Sequence, residues 1–270
     1  MSPAEALLLV AIGFAIGAYS IAIGAGGGFL IAPLLLIRYP EAEPELITTA
    51  SLTAVLITSA AASAVGIPER RVDIPVALTI AAIAVPAGLV GALGTVALPR
   101  EAFAIGFAVL LVTLAAYIIR FPVAPAAPDG GGWFRRIVDR DGHRFEYHVP
   151  MLLGALPLAG MASLSALAGI GGGPIGVPIM TRVMTIPHAI AVPTIQLNTA
   201  IYTSVAIVLH LSLGHGGDPL HDIPFLGAGI LLANPLGHRL RRRMGEGPLM
   251  RALALGLVVV AARTAWGAFM

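Results

Sequence analysis

GIGGGPIGVP, residues 169–178, places five glycines and two prolines inside an otherwise apolar stretch. GAGGGFLIAP, residues 24–33, repeats the pattern 145 positions earlier: Gly24, Gly26, Gly27, Gly28 and Pro33 fall in step with Gly169, Gly171, Gly172, Gly173 and Pro178. A membrane-spanning helix needs about 20 apolar residues. The apolar segments that carry the two clusters run over residues 4–37 and 150–184, too long for a single span, so each reads as a long helix, a break and a shorter second piece.

The rest of the chain supports an all-α polytopic membrane protein. Hydrophobic residues make up 57% of it and charged residues 11%, far from soluble values. Apolar segments at 46–66, 73–97, 102–120, 189–213, 223–240 and 249–269 each fit one span. There is no cysteine, which excludes disulfides, thiolate metal sites and a cysteine nucleophile, and there is no lysine, so every positive side chain is arginine. The net charge of +2 does not indicate nucleic acid, because positives near span ends set orientation. The N-terminus, MSPAEALLLV, has no basic region ahead of its apolar run, an argument against a cleaved signal peptide. Residues 121–148 form the one long polar segment, and Pro122, Pro125, Pro128 and Gly130–Gly132 oppose helix in its first part. The expected organisation is therefore a first transmembrane repeat over 1–120, a linker over 121–148 and a second repeat over 149–270.

Arginine placement separates two geometries for the broken segments. If they cross the membrane, the sixteen arginines divide eight against eight between the two faces. If they turn back as re-entrant hairpins, thirteen share one face and only Arg38, Arg100 and Arg263 lie opposite, the positive-inside pattern. Re-entrant hairpins leave three crossings per half. The halves then enter from opposite sides, as inverted repeats with a cytoplasmic linker and both termini in the periplasm, an architecture of secondary transporters.

Non-helical backbone at membrane depth exists only where protein or a water-filled cavity satisfies it. The triplets Gly26, Gly27, Gly28 and Gly171, Gly172, Gly173 permit a sharp turn and close backbone approach to a ligand. The short helices that follow, over about 29–37 and 175–183, aim their N-terminal amides into the break, where they suit an anion. Close helix packing by small residues is the plainer reading of glycine in a membrane, but it does not explain triplets matched between halves. Gly171, Gly173 and Gly176 match a dinucleotide fingerprint in spacing only, for no βαβ context and no acidic residue about 20 positions on accompany them.

All fourteen carboxylates lie in loops or near helix ends, whereas a cation carrier or proton pump usually keeps an acid inside the membrane. The spans hold neutral hydrogen-bonding groups instead. Thr49, Ser51 and Thr53 stand at the same 145-residue offset from Thr194, Gln196 and Asn198. Hydroxyl and amide donors beside helix N-termini suit an oxyanion, although a membrane Ser or Thr more often bonds its own helix or a neighbour. Substrate contacts are thus expected from Gly26, Gly27, Gly28, Gly171, Gly172, Gly173, Thr49, Ser51, Thr194, Gln196 and Asn198. Tyr19, Ser20, Ser163 and Ser165 precede the breaks and line the same region. Arg38 and Arg182 end the two short helices, where a cation favours the helix dipole. Arg263 reads as an interfacial side chain and His210 as a hydrogen-bonding group near a span end.

GAGGGFLIAPLLL and GIGGGPIGVPIM, each followed by a turn and a helix bearing threonine or serine, resemble the duplicated signature of the TauE/SafE family of sulfite and organosulfonate exporters. The resemblance runs from about Ala4 to Phe269 and implies export of sulfite, sulfoacetate or a related sulfur oxyanion across the bacterial inner membrane, without cofactor, metal or catalytic residue. An alanine-valine-glycine-threonine-serine motif opens the helix after each hairpin in that family. The matching stretches here, ITTASL at 47–52 and AVPTIQLN at 191–198, depart from it: Pro193 stands where glycine is usual, and Ile195 and Gln196 follow Thr194. The expected partners are a small anion and the lipid bilayer, with no nucleic acid; a homo-oligomer is compatible with the sequence. An anion channel of the same fold would share every residue named. An intramembrane enzyme would need Ser163 or Ser165 to meet His210.

Overall fold

The structure, a computed structural model, describes residues 2–23, 28–120, 131–243 and 246–268. Gly24, Gly26 and Gly27 of the first glycine cluster therefore lie outside the described residues. Ten helices and one β-hairpin follow in order: α1 (Pro3–Ile23), α2 (Gly28–Arg38), α3 (Pro44–Gly66), α4 (Ile74–Val96), α5 (Arg100–Arg120), β1 (Trp133–Val138), β2 (Arg144–Val149), α6 (Met151–Ala168), α7 (Gly173–Pro178), α8 (His188–Ser212), α9 (Ile223–Arg243) and α10 (Glu246–Ala268). Among the described residues six helices, α1, α3, α4, α5, α6 and α8, are long and apolar enough to cross a membrane. The chain is a multi-pass membrane protein.

Local chemistry sets the breaks. Gly169 ends α6 in the left-handed region at φ 66°, a conformation that costs an L side chain about 1–2 kcal/mol. Gly171 takes φ 84° two residues later. The short helix that follows is itself divided, because Pro178 ends α7 and a π turn, Ile179–Val183, continues it.

Packing joins the two halves element by element. Helix α1 lies beside α9 and runs parallel to it, with Gly13 against Leu226, Gly17 against Ile230 and Gly237 against Ala18. Helix α6 repeats this beside α4, with Gly91 against Ser163 and Gly94 against Leu167. At Gly13, Gly17 and Gly91 a side chain would meet backbone atoms of the partner helix, which is how small residues let membrane helices approach. Helices α3 and α8 pair antiparallel through the middle, since Ser59 bonds Gln196 while Gly66, further along α3, meets Pro193, earlier in α8. Helix α2 packs on α3 as α7 packs on α8, and α5 pairs with α10. Among the described residues, these main pairings map onto themselves when the halves are exchanged.

Both broken segments return to the end at which they start. The Arg182 Nη1 and Nη2 atoms donate to the Tyr117 and Ile118 carbonyls at the end of α5, 3.4 and 3.3 Å away. Thr185 Oγ1 donates to the His148 carbonyl just before α6, at 3.2 Å. At the other end of the bundle, Arg38 Nε pairs with Asp222 at 2.6 Å. Glu5, at the start of α1, lines a cavity of about 640 Å³ together with Arg38, Tyr39, Asp218, His221, Asp222 and Phe225.

The linker holds a feature that hydropathy did not suggest. Strands β1 and β2 pair antiparallel from Trp133↔Val149 to Val138↔Arg144. The face carrying Tyr147 and Val149 is buried against the bundle. Asp73, at the N-cap of α4, is the anchor: Arg135 donates to both its oxygens at 2.8 and 2.9 Å and the Tyr147 hydroxyl adds a third bond at 2.7 Å. These bonds raise the Arg135 guanidinium above its ordinary pKa, while burial first, and then Asp73, push the Tyr147 phenol up. Arg71 holds Asp139 in the hairpin turn at 2.9 and 3.1 Å. Burial raises the Asp139 carboxyl, but Arg71 and His143 outweigh it and leave the pKa below its ordinary value.

Candidate functional site

Gly28, the described residue of the first triplet, meets the second break in the interior. A side chain on Gly28, at the N-terminus of α2, would stand 2.5 Å from the Gly169 carbonyl oxygen and 2.6 Å from that of Ile170. No residue but glycine fits there without displacing backbone. Ser51 of α3 sits at the junction: its Oγ lies 2.7 Å from the Gly169 carbonyl and 3.3 Å from the Gly28 carbonyl, so the shorter bond takes most of its one proton. Thr48, one turn before it, donates to the Leu167 carbonyl near the end of α6 at 3.3 Å. One face of α3 thus satisfies carbonyl groups that the end of α6 leaves without helical partners.

The second break is enclosed from the α8 side. Gly172 lies against the Thr199 hydroxyl, and the Tyr202 hydroxyl would be 3.3 Å from a side chain there. Tyr202 is fully buried, and its hydroxyl shares a 2.8 Å hydrogen bond with Ser165 of α6. Gly171 faces Val55 of α3 and Gly176 faces Ile195 of α8.

The side-chain expectations divide. Ser51 and Gly28 lie together with Gly171, Gly172 and Gly173. Gln196 is buried on the same α3–α8 seam and accepts from Ser59 at 2.7 Å. Thr49 donates to the Glu45 carbonyl of its own helix at 2.6 Å, and Thr53 in turn to the Thr49 carbonyl at 2.8 Å. The Thr194 hydroxyl accepts from the Asp73 amide at 2.9 Å, which places it at the hairpin anchor. Asn198 differs from all of these: it is sealed from solvent, and neither its Oδ1 nor its Nδ2 has a partner. It lies one turn from Thr194 and one turn from Tyr202, and Thr199 beside it touches the break. A buried amide left unbonded costs about 1–3 kcal/mol, a cost that Thr49, Ser51, Thr194 and Gln196, each with a partner, do not carry.

Sequence reasoning missed Tyr202, Thr199 and Ser59. Tyr202 carried a signal, as a lone tyrosine amid the apolar run of α8; for the others only the fold shows which face they take. The charged side chains buried among the described residues, Glu45, Asp73, Asp139 and Asp222, all lie at helix ends or in loops. Ser165 is bonded to Tyr202, and the Nδ1 atom of His210 stands 3.2 Å from that of His215. The serine–histidine pairing that an intramembrane hydrolase would need is not made. Arg263 is exposed.

Sequence comparison bears on this geometry directly. The sequence model of the family described as "Sulfite exporter TauE/SafE" matches residues 9–264, nearly the whole chain. The protein belongs to the TauE/SafE family. The chain is also similar to the probable membrane transporter protein YunE of Bacillus subtilis (strain 168), with 22% identity over 261 residues that cover 94% of this chain and 95% of the relative. No solved structure matches it. Family and relative alike indicate a membrane transporter rather than an enzyme.

Proposed function

We propose that this protein is a secondary carrier that exports a small sulfur-containing oxyanion, sulfite, sulfoacetate or a related organosulfonate, across the bacterial inner membrane. The observation that carries the reading is the meeting of Gly28 and Gly169 at Ser51, together with the unbonded buried amide of Asn198 on α8. Neutral donors and glycine backbone can replace part of an oxyanion's hydration without a buried countercharge that would hold it too tightly to leave. Gly26, Gly27, Gly28, Gly171, Gly172, Gly173, Thr49, Ser51, Thr194, Gln196 and Asn198 make up the proposed substrate site, with Asn198 and Gln196 its principal side-chain ligands.

In this reading the halves 1–120 and 149–270 are inverted repeats joined by a cytoplasmic linker, and both termini are periplasmic. The antiparallel pairing of α3 with α8 supports it: re-entrant segments send these two helices across in opposite senses, whereas broken segments that crossed would send them across in the same sense. Rocking of one half against the other alternates access to the site. The membrane potential favours anion exit by roughly 2.3 kcal/mol per charge at 100 mV, so export requires no acidic proton relay.

Uptake of labelled sulfite into liposomes carrying the purified protein tests the proposal, with sulfoacetate, sulfate and acetate as competitors. Saturable uptake competed by sulfur oxyanions, and weakened by Asn198→Ala and Gln196→Ala in folded protein, is expected. Absence of uptake under any imposed gradient overturns the substrate assignment. Uptake indifferent to both substitutions moves the site elsewhere, and unitary current steps in a bilayer make the protein a channel.

A further inference from the structure

The hairpin has a second face. Alternation along its strands sets Phe134, Arg136 and Val138, with their partners His148, Glu146 and Arg144, opposite the face on which Tyr147 and Val149 are buried. Phe134 is 52% exposed, and Trp133, at the end of the hairpin away from its turn, is 39% exposed. The Trp133 ring is nevertheless held in place, because the Arg135 guanidinium lies 4.5 Å from its centroid and is itself tied to Asp73. Two neighbouring aromatic side chains thus present open surface from a fixed position.

The level of that surface follows from the chain. Trp133 pairs with Val149, and Pro150 alone separates β2 from α6. Leu152, in the first turn of α6, is 93% exposed, and Leu153 and Leu156 are also exposed, as side chains of a spanning helix that meet lipid. Asp73, which anchors the hairpin, is followed by Ile74 and, one turn on, by Leu78, both exposed on the spanning helix α4. The hairpin is therefore fastened where two spanning helices begin, the depth at which amphipathic aromatic rings settle in a bilayer.

Charge at this end is one-sided. Among the described residues the carboxylates are already paired: Asp73 with Arg135, Glu146 with Arg136, and Glu69, Asp139 and Asp141 with Arg71. Arg140 and Arg144, on either side of the hairpin turn, are exposed, and neither guanidinium meets an acid among the described residues. The Arg140 amide donates to the Glu69 carbonyl at 3.0 Å, so the turn is held against the α3–α4 loop, where Arg70 is exposed as well.

We infer that the outer face of the hairpin lies in the headgroup layer of the membrane and binds anionic phospholipid. Trp133 and Phe134 enter the interface beside the first turn of α6, and Arg140 and Arg144 receive lipid phosphate, which the guanidinium fork matches with paired hydrogen bonds. The hairpin is then held from two sides, by Asp73 within the protein and by lipid outside it. This surface is independent of the transport site and serves a carrier and a channel alike.

Two readouts test it. Trp133 and Trp266 are the two tryptophans of the chain, so full-length protein with Trp266→Phe reports Trp133 alone. In vesicles of phosphatidylcholine and phosphatidylglycerol, bromine placed near the headgroup end of the acyl chains should quench its emission strongly, bromine at the chain ends weakly, and aqueous iodide on both sides little. In detergent, added phosphatidylglycerol should raise the unfolding temperature at concentrations where phosphatidylcholine does not. Arg140→Gln and Arg144→Gln should each raise the half-saturating concentration of phosphatidylglycerol about fivefold. The lipid-free unfolding temperature should stay at the wild-type value, because neither guanidinium bonds another side chain among the described residues. Trp133 emission quenched by iodide and by neither bromolipid turns the face toward water, as a surface for a soluble partner, and overturns the inference. Equal stabilisation by the two lipids, or half-saturation unchanged in both variants, overturns the phosphate contacts and with them the preference for anionic lipid.

Discussion

Two buried regions lie a few helical turns apart on α3 and α8 and obey opposite rules. At the hairpin anchor a carboxylate is buried, and every oxygen of it is used: Asp73 accepts from Arg135, Tyr147 and Val76 while its own amide donates to Thr194. At the glycine breaks charge is absent, Ser51 is used, and Asn198 and Ser20 are left open. The anchor has to stay closed, so full satisfaction serves it. A transport site has to take up and release a ligand: Asn198 can meet one without losing a bond, whereas Gln196 would exchange its bond to Ser59.

The comparison is open to attack from the anchor first. Asp73→Ala strands Arg135 and the Tyr147 hydroxyl and is expected to lower stability by about 3–5 kcal/mol, the usual cost of removing one partner of a buried ion pair. Unfolding in detergent measures it; a loss below about 1 kcal/mol would mean that the hairpin does not need its anchor. Ser51→Ala comes next. It removes the donor on which the Gly169 carbonyl depends and should cost about 1–3 kcal/mol. Asn198→Ala, by contrast, should leave the empty protein no less stable, because nothing in it bonds that amide. Equal losses for the two would erase the distinction between a structural and a vacant polar group.

A smaller effect is expected with pH. The Asp139 carboxyl has a folded-state pKa below the unfolded value of about 3.9. Its contribution is therefore complete above that value and is lost as the pH falls through the folded one. In a protein with Trp266→Phe, the emission of Trp133, which lies 4.5 Å beneath the Arg135 guanidinium, should change below about pH 4 and hold steady from there to neutrality. Asp139→Asn should remove the transition. Least of all is expected from Asp222→Asn. Arg38 is 35% exposed, and a pair screened in this way contributes about 0–1 kcal/mol, so a larger drop in unfolding temperature would give the outer end of the bundle an anchor like Asp73.

The helices were legible because apolar runs and glycine clusters are local signals. The segments expected over 46–66, 73–97, 102–120 and 189–213 correspond to α3, α4, α5 and α8 within a few residues. The hairpin at 133–149 was not legible. Arg144–Val149 does alternate polar and apolar residues, but Trp133–Val138 does not, because Arg135 and Arg136 stand side by side, and only the fold shows that Asp73 receives Arg135. Within the candidate site, residue type and offset favoured Gln196 and Asn198 and grouped Ser51 with Thr49 and Thr194. Only side-chain geometry separates a threonine bonded to its own helix from an amide bonded to nothing.

By itself the sequence determined that the chain lies in a membrane, that two helices break at matched glycines, and that the spans carry no acid. Each of these follows from composition, from a fixed offset or from local backbone freedom, which need no knowledge of neighbours. The tertiary structure alone decided that Gly28 and Gly169 meet at Ser51, that Tyr202 closes over the second break, and that the 133–149 hairpin is pinned through Asp73. Those outcomes depend on contacts between residues more than a hundred positions apart, such as Ser51 with Gly169 and Asp73 with Thr194, and the satisfaction of a polar group depends on which partner the fold brings within about 3 Å of it.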